Sequence, residues 1–128
     1  MKVALLTALS RVSPVFETTS TWLMIDATAD QCNISNTQHF HAQNELDMAK
    51  ELIQNNIEMV ICGAIPFYLE KNLIDQGCEV FAFIAGEVDE VIEALHLNQL
   101  DKPEFKMPGC QKRKKRGNNS FCQHIAKQ

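Results

Sequence analysis

The residues with the clearest chemistry lie in the stretch Val60–Pro66, which reads Val-Ile-Cys-Gly-Ala-Ile-Pro. The apolar residues predict a buried strand that ends at Gly63, where the missing side chain permits a tight turn and a close approach to the backbone. Pro66 suits the first turn of a following helix, because its absent N–H is not needed there. The other N–H groups of that turn favour an anion. The sequence places the Cys62 thiol at the mouth of this predicted site.

Each of these residues also has a purely structural interpretation. Free cysteine is commonly a small core residue, so packing is the more common role for Cys62. A helix N-terminus would nevertheless favour its thiolate, and thiolates are good ligands for copper, zinc and iron–sulfur centres. Gly63 and Gly86 can equally be ordinary turn residues.

Two polar residues, Arg11 and Ser13, follow the first predicted strand. An arginine offers several hydrogen-bond donors to an anionic ligand. Its alternative role is a surface ion pair with a nearby carboxylate. Two helix N-termini at about 1 kcal/mol each and one charged hydrogen bond at about 2 kcal/mol give only about millimolar affinity. Tighter binding requires metal–sulfur bonds from Cys62 or Cys110, a multiply charged ligand, or closure of a basic tail over it.

Other candidate groups are weaker. Cys110, Cys122 and His124 are too few and too widely spaced for a structural zinc site. His39 and His41 form a His-x-His pattern in a polar loop, where exposed histidines are the commoner interpretation. The sequence contains no clustered carboxylates, Ser–His–Asp set, phosphate-binding loop or dinucleotide fingerprint. We therefore do not expect an enzyme.

The length of 128 residues suits one domain. We predict a folded domain over residues 1–104 and a basic, disordered tail over 105–128. No apolar run approaches the length of a membrane span, and the N-terminus reads as a first strand rather than a signal peptide. The five cysteines show no framework spacing, so we expect reduced thiols in the cytoplasm.

The net charge of −4 hides a strong asymmetry. Residues 1–109 hold six basic and 16 acidic side chains, a net charge of −10, whereas residues 110–128 hold six basic and no acidic ones. Five of the basic residues are consecutive, at Lys112–Arg116. Such a run is either a solvated tail that rests on the acidic domain or an arm that collects anions.

The hydrophobic pattern predicts the element order βββαβαβα, in an α/β domain. Strands are expected at 3–7, 22–27, 31–35, 58–62 and 78–84, and helices from Asn44, Pro66 and Glu87. Because helical crossovers join parallel strands, we expect a mixed five-stranded sheet of order 3-2-1-4-5, flanked by helices. The carboxyl ends of strands one, four and five then share one edge, where open sheets bind ligands.

Four motifs occur in an order that resembles a known family. They are Arg11–Phe16 (RVSPVF), Ile61–Ile65 (ICGAI), Ala85–Val91 (AGEVDEV) and Met107–Cys110 (MPGC), the last followed by the basic run. Together they resemble the dinitrogenase iron–molybdenum cofactor biosynthesis family, the NifX-like proteins that include the orange protein. The resemblance covers about residues 1–117.

The resemblance implies an RNase H-like fold and a protein that binds or carries a molybdenum–iron or molybdenum–copper sulfur cluster without catalysis. The motif residues expected to bind the cluster are Arg11, Ser13, Cys62, Gly63, Ala64, Ile65 and Gly86, with Cys62 and Cys110 as metal ligands. The expected partners are proteins that donate or accept the cluster. This chain has Pro66-Phe67 and Glu17–Ser20 where relatives often carry a basic residue.

The alternative is an interaction module whose basic tail binds a protein or a nucleic acid. Phosphate contacts would make such binding strongly dependent on salt. The domain itself offers no basic face, so we do not expect nucleic acid as a partner.

Overall fold

The computed structural model of the chain describes residues 1–16, 21–39 and 43–107. These ranges contain three α-helices: α1 (Glu45–Gln54), α2 (Phe67–Asp75) and α3 (Val88–His96). They also contain a short 3₁₀ helix at Pro103–Phe105. The strands of the same ranges are β1 (Lys2–Ala8), β2 (Arg11–Val12), β3 (Thr21–Ala27), β4 (Cys32–Gln38), β5 (Met59–Ile61) and β6 (Glu79–Phe81).

The strands form one mixed sheet with the path β4-β3-β1-β5-β6. Strand β1 runs antiparallel to β3 and parallel to β5, and β5 runs parallel to β6. The predicted mixed α/β sheet flanked by helices is confirmed. Two features were not predicted: β2, which pairs with β1 in a tight hairpin, and the extension of β4 to Gln38.

Alternation along the central strands divides the apolar core into two clusters, one on each face of the sheet. Ala4, Leu6 and Val60 face helices α1 and α2, in what we call the α1/α2 cluster. Val3, Leu5 and Ile61 face helix α3, in the α3 cluster. The strands β1 and β5 are covered on both faces, as their continuous apolar sequences predict.

The helix boundaries follow local signals in the sequence. The Asn44 side chain accepts a hydrogen bond of 2.9 Å from the Asp47 backbone N–H, which caps α1 as predicted. Helix α2 begins directly after Pro66. Gly77 follows the end of α2 with a φ of +91°, a left-handed conformation that glycine adopts without strain.

The folded part of the chain continues past the predicted domain boundary at residue 104. The Ala85 N–H donates to the Phe105 carbonyl (2.8 Å), and the Met107 N–H donates to the Phe83 carbonyl (2.9 Å). Between these two hydrogen bonds, Lys106 forms an antiparallel β-bridge with Ile84, and it is almost fully buried. The rest of the predicted tail, residues 108–128 with Cys110, lies outside the described residues.

Within the described ranges, no helix combines the length and apolar character needed to cross a membrane.

Candidate functional site

Three loops meet where the central strands end. The Val12 N–H donates to the Gly86 carbonyl (3.0 Å), the Phe16 N–H to the Ala64 carbonyl (3.0 Å), and the Phe83 N–H to the Gly63 carbonyl (2.8 Å). We call the segments 8–16, 62–66 and 83–87 the rim. The rim brings together all of the predicted site residues except Cys110, although they do not all face the solvent.

The first rim segment crosses the end of β1 from one face of the sheet to the other. Val12 is buried in the α3 cluster, and Phe16 is buried in the α1/α2 cluster. The Phe16 ring contacts the Trp22 ring edge-on, with centroids 5.7 Å apart. This segment is therefore anchored on both faces of the sheet where the central strands end.

The close approach predicted at Gly63 is made by the chain's own backbone. A Cβ atom at Gly63 would lie 2.6 Å from the Pro14 carbonyl oxygen and closer still to that of Ser13. The Ala64 N–H also donates to the Pro14 carbonyl, at 2.8 Å. Glycine is needed here so that the first rim segment can lie against the turn after β5.

Cys62 does not lie at the mouth of a site, and that predicted placement is wrong. Its N–H donates to the Phe81 carbonyl and its carbonyl accepts from the Ile84 N–H, both at 3.0 Å, which continues the pairing of β5 with its neighbour. The alternation of side chains along the strand then turns Cys62 into the α1/α2 cluster, with no exposed surface. Its role as a metal ligand stays a prediction.

Arg11 lies on the surface of the rim and pairs with a carboxylate. Its Nη1 atom is 2.7 Å from Oε1 of Glu87, and the two side chains are 59% and 45% exposed. The Ser10 hydroxyl donates to the other oxygen of Glu87 at 3.2 Å. The guanidinium thus remains accessible, while its charge is balanced by a group that an anionic ligand would have to displace.

The side chains of Ser13 and Ile65 are buried and have structural roles. Ser13 is almost fully buried, and its hydroxyl donates to the Val15 carbonyl at 2.9 Å, which stabilises the first rim segment. Ile65 is buried in the α1/α2 cluster. These two side chains shape the rim and do not present ligands to the solvent.

The start of α3 is unfavourable for an anion. Gly86 has a φ of +142°, and the Val88 N–H is bonded to the Ser10 carbonyl at 2.9 Å. The carboxylates of Glu87, Asp89 and Glu90 lie at the cap and in the first turn. Carboxylates at this position are stabilised by the helix dipole, and they offset its attraction for a bound anion.

A groove of about 490 Å³ lies beside the Arg11–Glu87 pair, between the β1–β2 hairpin, strands β3 and β4, and the start of α3. Apolar residues such as Leu9 and Ile34 line it together with threonine and serine hydroxyls, Glu87 and Asp89. Leu9 is fully exposed at the hairpin tip, with a φ of 59°. The groove is large enough for a small ligand next to the rim.

The described thiols away from the rim are poor metal ligands. Burial, together with the nearby carboxylates Glu79 and Glu58, raises the pKa of the Cys78 thiol to about 12. Burial also raises the pKa of Cys32. Across residues 1–16, 21–39 and 43–107, no three His, Cys, Asp or Glu side chains are grouped so that they could hold a metal ion.

The predicted histidine pair and the C-terminal Cys/His set are only partly visible. The His39 Nε2 atom lies 3.3 Å from the Thr21 hydroxyl oxygen. His41, Cys110, Cys122 and His124 lie outside the described residues.

The sequence of residues 1–98 matches the family described as "Dinitrogenase iron-molybdenum cofactor". This match spans the rim, the six described strands and the three α-helices. The chain belongs to the dinitrogenase iron–molybdenum cofactor family. The family predicted from the four motifs is therefore confirmed. No curated protein matches this sequence at a significant level.

Solved structures share the fold at low sequence identity. The chain is similar to the protein PH0822, with a TM-score of 0.70, 17% identity, and coverage of 89% of this chain and 100% of the other. It is similar to a Methanocaldococcus jannaschii protein provisionally named a dinitrogenase (TM-score 0.56, 20% identity, 77% and 90% coverage). It is also similar to a Thermotoga protein provisionally named NifB and assigned to the DUF35 family (TM-score 0.54, 18% identity, 91% and 98% coverage).

The ion pair of Arg11 matches the alternative role that the sequence gave this residue, although the sequence did not name Glu87 as the partner. The exposed side chain of Leu9 was not predicted. The Arg11–Glu87 pair joins positions 76 residues apart, so no local pattern predicts it. Leu9 lay in a segment predicted to be a loop. A hairpin between β1 and β2 could have been predicted from a typical two-residue turn. The residues that connect Ala8 to Arg11 are Leu9-Ser10, however, rather than the usual Asn-Gly or Asp-Gly.

Proposed function

We propose that this protein binds and carries an anionic metal–sulfur cluster of the molybdenum–iron or molybdenum–copper type at the rim, without catalysing a reaction. The observation that carries the proposal is the family match over residues 1–98, which contains the whole rim. We further propose an RNase H-like fold, supported by the strand path, and a cytoplasmic setting, supported by Cys32, Cys62 and Cys78, which form no disulfide.

The first contact with the cluster is the guanidinium of Arg11. An exposed ion pair such as Arg11–Glu87 contributes no more than about 1 kcal/mol, so a multiply charged cluster can displace Glu87 from it. Arginine has five N–H donors, and one nitrogen is engaged by Glu87. The remaining donors suit the sulfur and oxygen atoms of an anionic cluster.

The best candidate for a sulfur ligand is Cys110. Cys62 has no exposed surface, and metal ligation by its thiol requires the turn at 62–66 to open. Cys110 follows Met107, whose backbone is bonded to the rim at Phe83, by only three residues. Three residues span at most about 11 Å, so the Cys110 thiol stays close to the end of the rim at Phe83.

Loose binding is consistent with a carrier that delivers its cargo. The groove beside the rim, with the exposed side chains of Leu9 and Ile34, gives a donor or acceptor protein a surface next to the cluster. Docking there would place the partner's own ligands close to the cargo.

The proposal is tested by titrating the anaerobic protein with tetrathiomolybdate and following the absorbance of the bound anion. We expect saturable binding, and a dissociation constant that rises about tenfold or more in Arg11→Gln, because a charged hydrogen bond is lost. Lys71→Gln is the matched control, since Lys71 is an exposed cation paired with Asp75 at 3.2 Å on α2. Absence of saturable binding to the wild type would overturn the proposal, and equal effects of the two substitutions would remove Arg11 from it.

A further inference from the structure

We propose that the groove beside the rim docks a segment of the protein that donates the cluster, and that a lysine or arginine of this segment binds Glu87 and weakens its hold on Arg11. The inference rests on the proposed function and adds to it the chemistry of the partner and a link between docking and cluster binding. It follows from three observations: the uncovered part of the sheet, the charge of the groove, and the position of Glu87 between the groove and Arg11.

The floor of the groove is a part of the sheet that helix α3 leaves uncovered. Leu5 and Ile25 are buried in the α3 cluster, whereas Leu23, on the same face of the sheet, is only partly buried and lines the groove. Ile34 of β4 and Leu9 at the hairpin tip also line it, and both side chains are exposed. Adjoining apolar side chains that are exposed in this way are typical of surfaces that bind another protein.

The charge of the groove selects the kind of partner. The described residues that line it include the carboxylates of Glu87 and Asp89 and no lysine, arginine or histidine. Residues 1–109 as a whole carry a net charge of −10, so a second copy of this acidic domain is repelled and a cationic partner is attracted. The methylene stems of lysine and arginine also cover apolar surface. A segment that combines a cationic side chain with an apolar one therefore fits both Glu87 and the side chains of Leu23 and Ile34.

Glu87 belongs to both the groove and the rim. Its Oε1 atom lies 2.7 Å from Nη1 of Arg11, and its Oε2 atom accepts a hydrogen bond of 3.2 Å from the hydroxyl of Ser10, which lines the groove. A cation that reaches this carboxylate from the groove shares its negative charge, which weakens the pair with Arg11. The guanidinium is then freer to bind an anion.

Docking and cluster binding consequently favour each other. If a docked cation strengthens the binding of an anion at Arg11, the bound anion must strengthen docking by the same factor. This protein then holds the cluster most firmly while its partner is docked. Such coupling favours transfer from a docked donor to this protein, and it weakens the hold on the cluster once the donor has left.

Docking is tested on the full-length protein with two short capped peptides as probes. In the first peptide lysine alternates with valine, and in the second glutamine replaces every lysine. Fluorescence anisotropy is expected to show saturable binding of the lysine peptide, at least about fivefold tighter than that of the glutamine peptide. Ile34→Thr, which removes apolar surface at the groove, should weaken binding of the lysine peptide about threefold or more. Leu46→Ala is the control, because Leu46 is an exposed apolar residue of α1, on the other face of the sheet.

Two results of this experiment would overturn the docking surface. One is equal binding of the two peptides, and the other is an equal effect of Ile34→Thr and Leu46→Ala. Sedimentation adds a third: a dimeric wild type and a monomeric Ile34→Thr would show that a second copy covers the groove instead.

The link through Glu87 is tested by titrating tetrathiomolybdate with and without a saturating concentration of the lysine peptide. We expect the peptide to lower the dissociation constant of the anion about three- to fivefold in the wild type. Glu87→Gln should abolish this effect, whereas Asp89→Asn, which removes the other carboxylate of the groove, should retain it. Direct attraction between peptide and anion would act in Glu87→Gln as well, so an effect that persists in this variant would overturn the link.

The same titrations separate this inference from the proposed function. Binding of tetrathiomolybdate without any binding of the lysine peptide would overturn the inference and leave the proposed function intact. Binding of the lysine peptide at the groove without any binding of tetrathiomolybdate would overturn the proposed function and the link, and would leave the docking surface.

Discussion

Cys62 and Cys78 lie in the same apolar cluster, between the sheet and helices α1 and α2, whereas Cys32 lies on the edge strand β4. Their chemistry follows from these positions rather than from the residue type. A thiol without access to solvent cannot exchange ligands unless the surrounding structure opens. Thiol chemistry at the protein surface therefore depends on residues other than Cys62 and Cys78.

The buried thiol of Cys78 makes stability depend on pH in the alkaline range. Its pKa is raised from the ordinary value of 9.0 to about 12, so the folded state keeps a proton that the unfolded state loses above pH 9. The free energy of unfolding should consequently fall as pH rises from 9 towards 12. Urea denaturation at pH 8 and pH 10 measures this loss.

The matching variant is Cys78→Ala, which removes the titrating group. It is expected to be less stable than the wild type at pH 8, because it leaves a small cavity. The difference should narrow at pH 10, where ionisation of the Cys78 thiol in the unfolded state lowers the stability of the wild type alone. A difference that stays constant or widens would contradict the account of Cys78.

Glu87 is expected to compete with an anionic ligand for Arg11. Glu87→Gln removes a negative charge from the rim and releases the guanidinium, so tetrathiomolybdate should bind about three- to tenfold more tightly. Asp75→Asn is the control, because it removes the carboxylate of an exposed ion pair on α2, away from the rim. If Glu87→Gln binds no more tightly than Asp75→Asn, then Arg11 does not contact the ligand.

At the scale of elements, the turn after β5 depends on its contact with the first rim segment. Gly63→Ala would place a methyl group against the Ser13 and Pro14 carbonyls, so we expect a loss of about 2–3 kcal/mol in the free energy of unfolding. Gly77→Ala is the control, since a Cβ there meets no atom within 4 Å and only the φ of +91° opposes it, at about 1 kcal/mol. A larger loss in the free energy of unfolding for Gly77→Ala than for Gly63→Ala, measured by denaturation, would contradict the close contact at Gly63.

A substitution at the tip of the β1–β2 hairpin is expected to stabilise the protein. Leu9 has a φ of 59° and a fully exposed side chain, so its conformation is strained without compensating burial. Leu9→Asn should raise the free energy of unfolding by about 0.5–1 kcal/mol, because asparagine tolerates this conformation. Leu9→Ala also removes the leucine side chain but not the strain, and it should show no such gain.

At the scale of the whole molecule, the hydrophobic pattern was sufficient for the elements that carry the sheet. The apolar runs around Leu5, Val60 and Val80 predict buried strands, and the Asn44 cap and Gly77 mark helix ends that the structure retains. Patterns of this kind depend on neighbouring residues. They did not predict the short strand β2, because the two-residue turn that pairs it with β1 lacks the usual turn residues.

The surface of the candidate site was less predictable, because it depends on contacts between distant segments. The sequence placed Arg11, Gly63 and Gly86 at one edge, and they lie together there. It did not predict that Ser13 and Pro14 would occupy the space at Gly63, or that Glu87 would pair with Arg11. Cys62 ends the predicted strand 58–62 and lies on the same side of it as Val60, and its burial depends on the packing of α1 and α2 against that side, which the local sequence does not show.

The most direct test of the account is the composition of the protein as it is isolated without air, by metal analysis and absorbance spectroscopy. We predict molybdenum together with iron or copper, close to one cluster per chain, with absorption bands of a metal–sulfur chromophore. Treatment with tetrathiomolybdate together with iron or copper ions should restore these bands in protein that has lost its cargo. A colourless protein that contains no such metals and takes up none on this treatment would contradict the central claim.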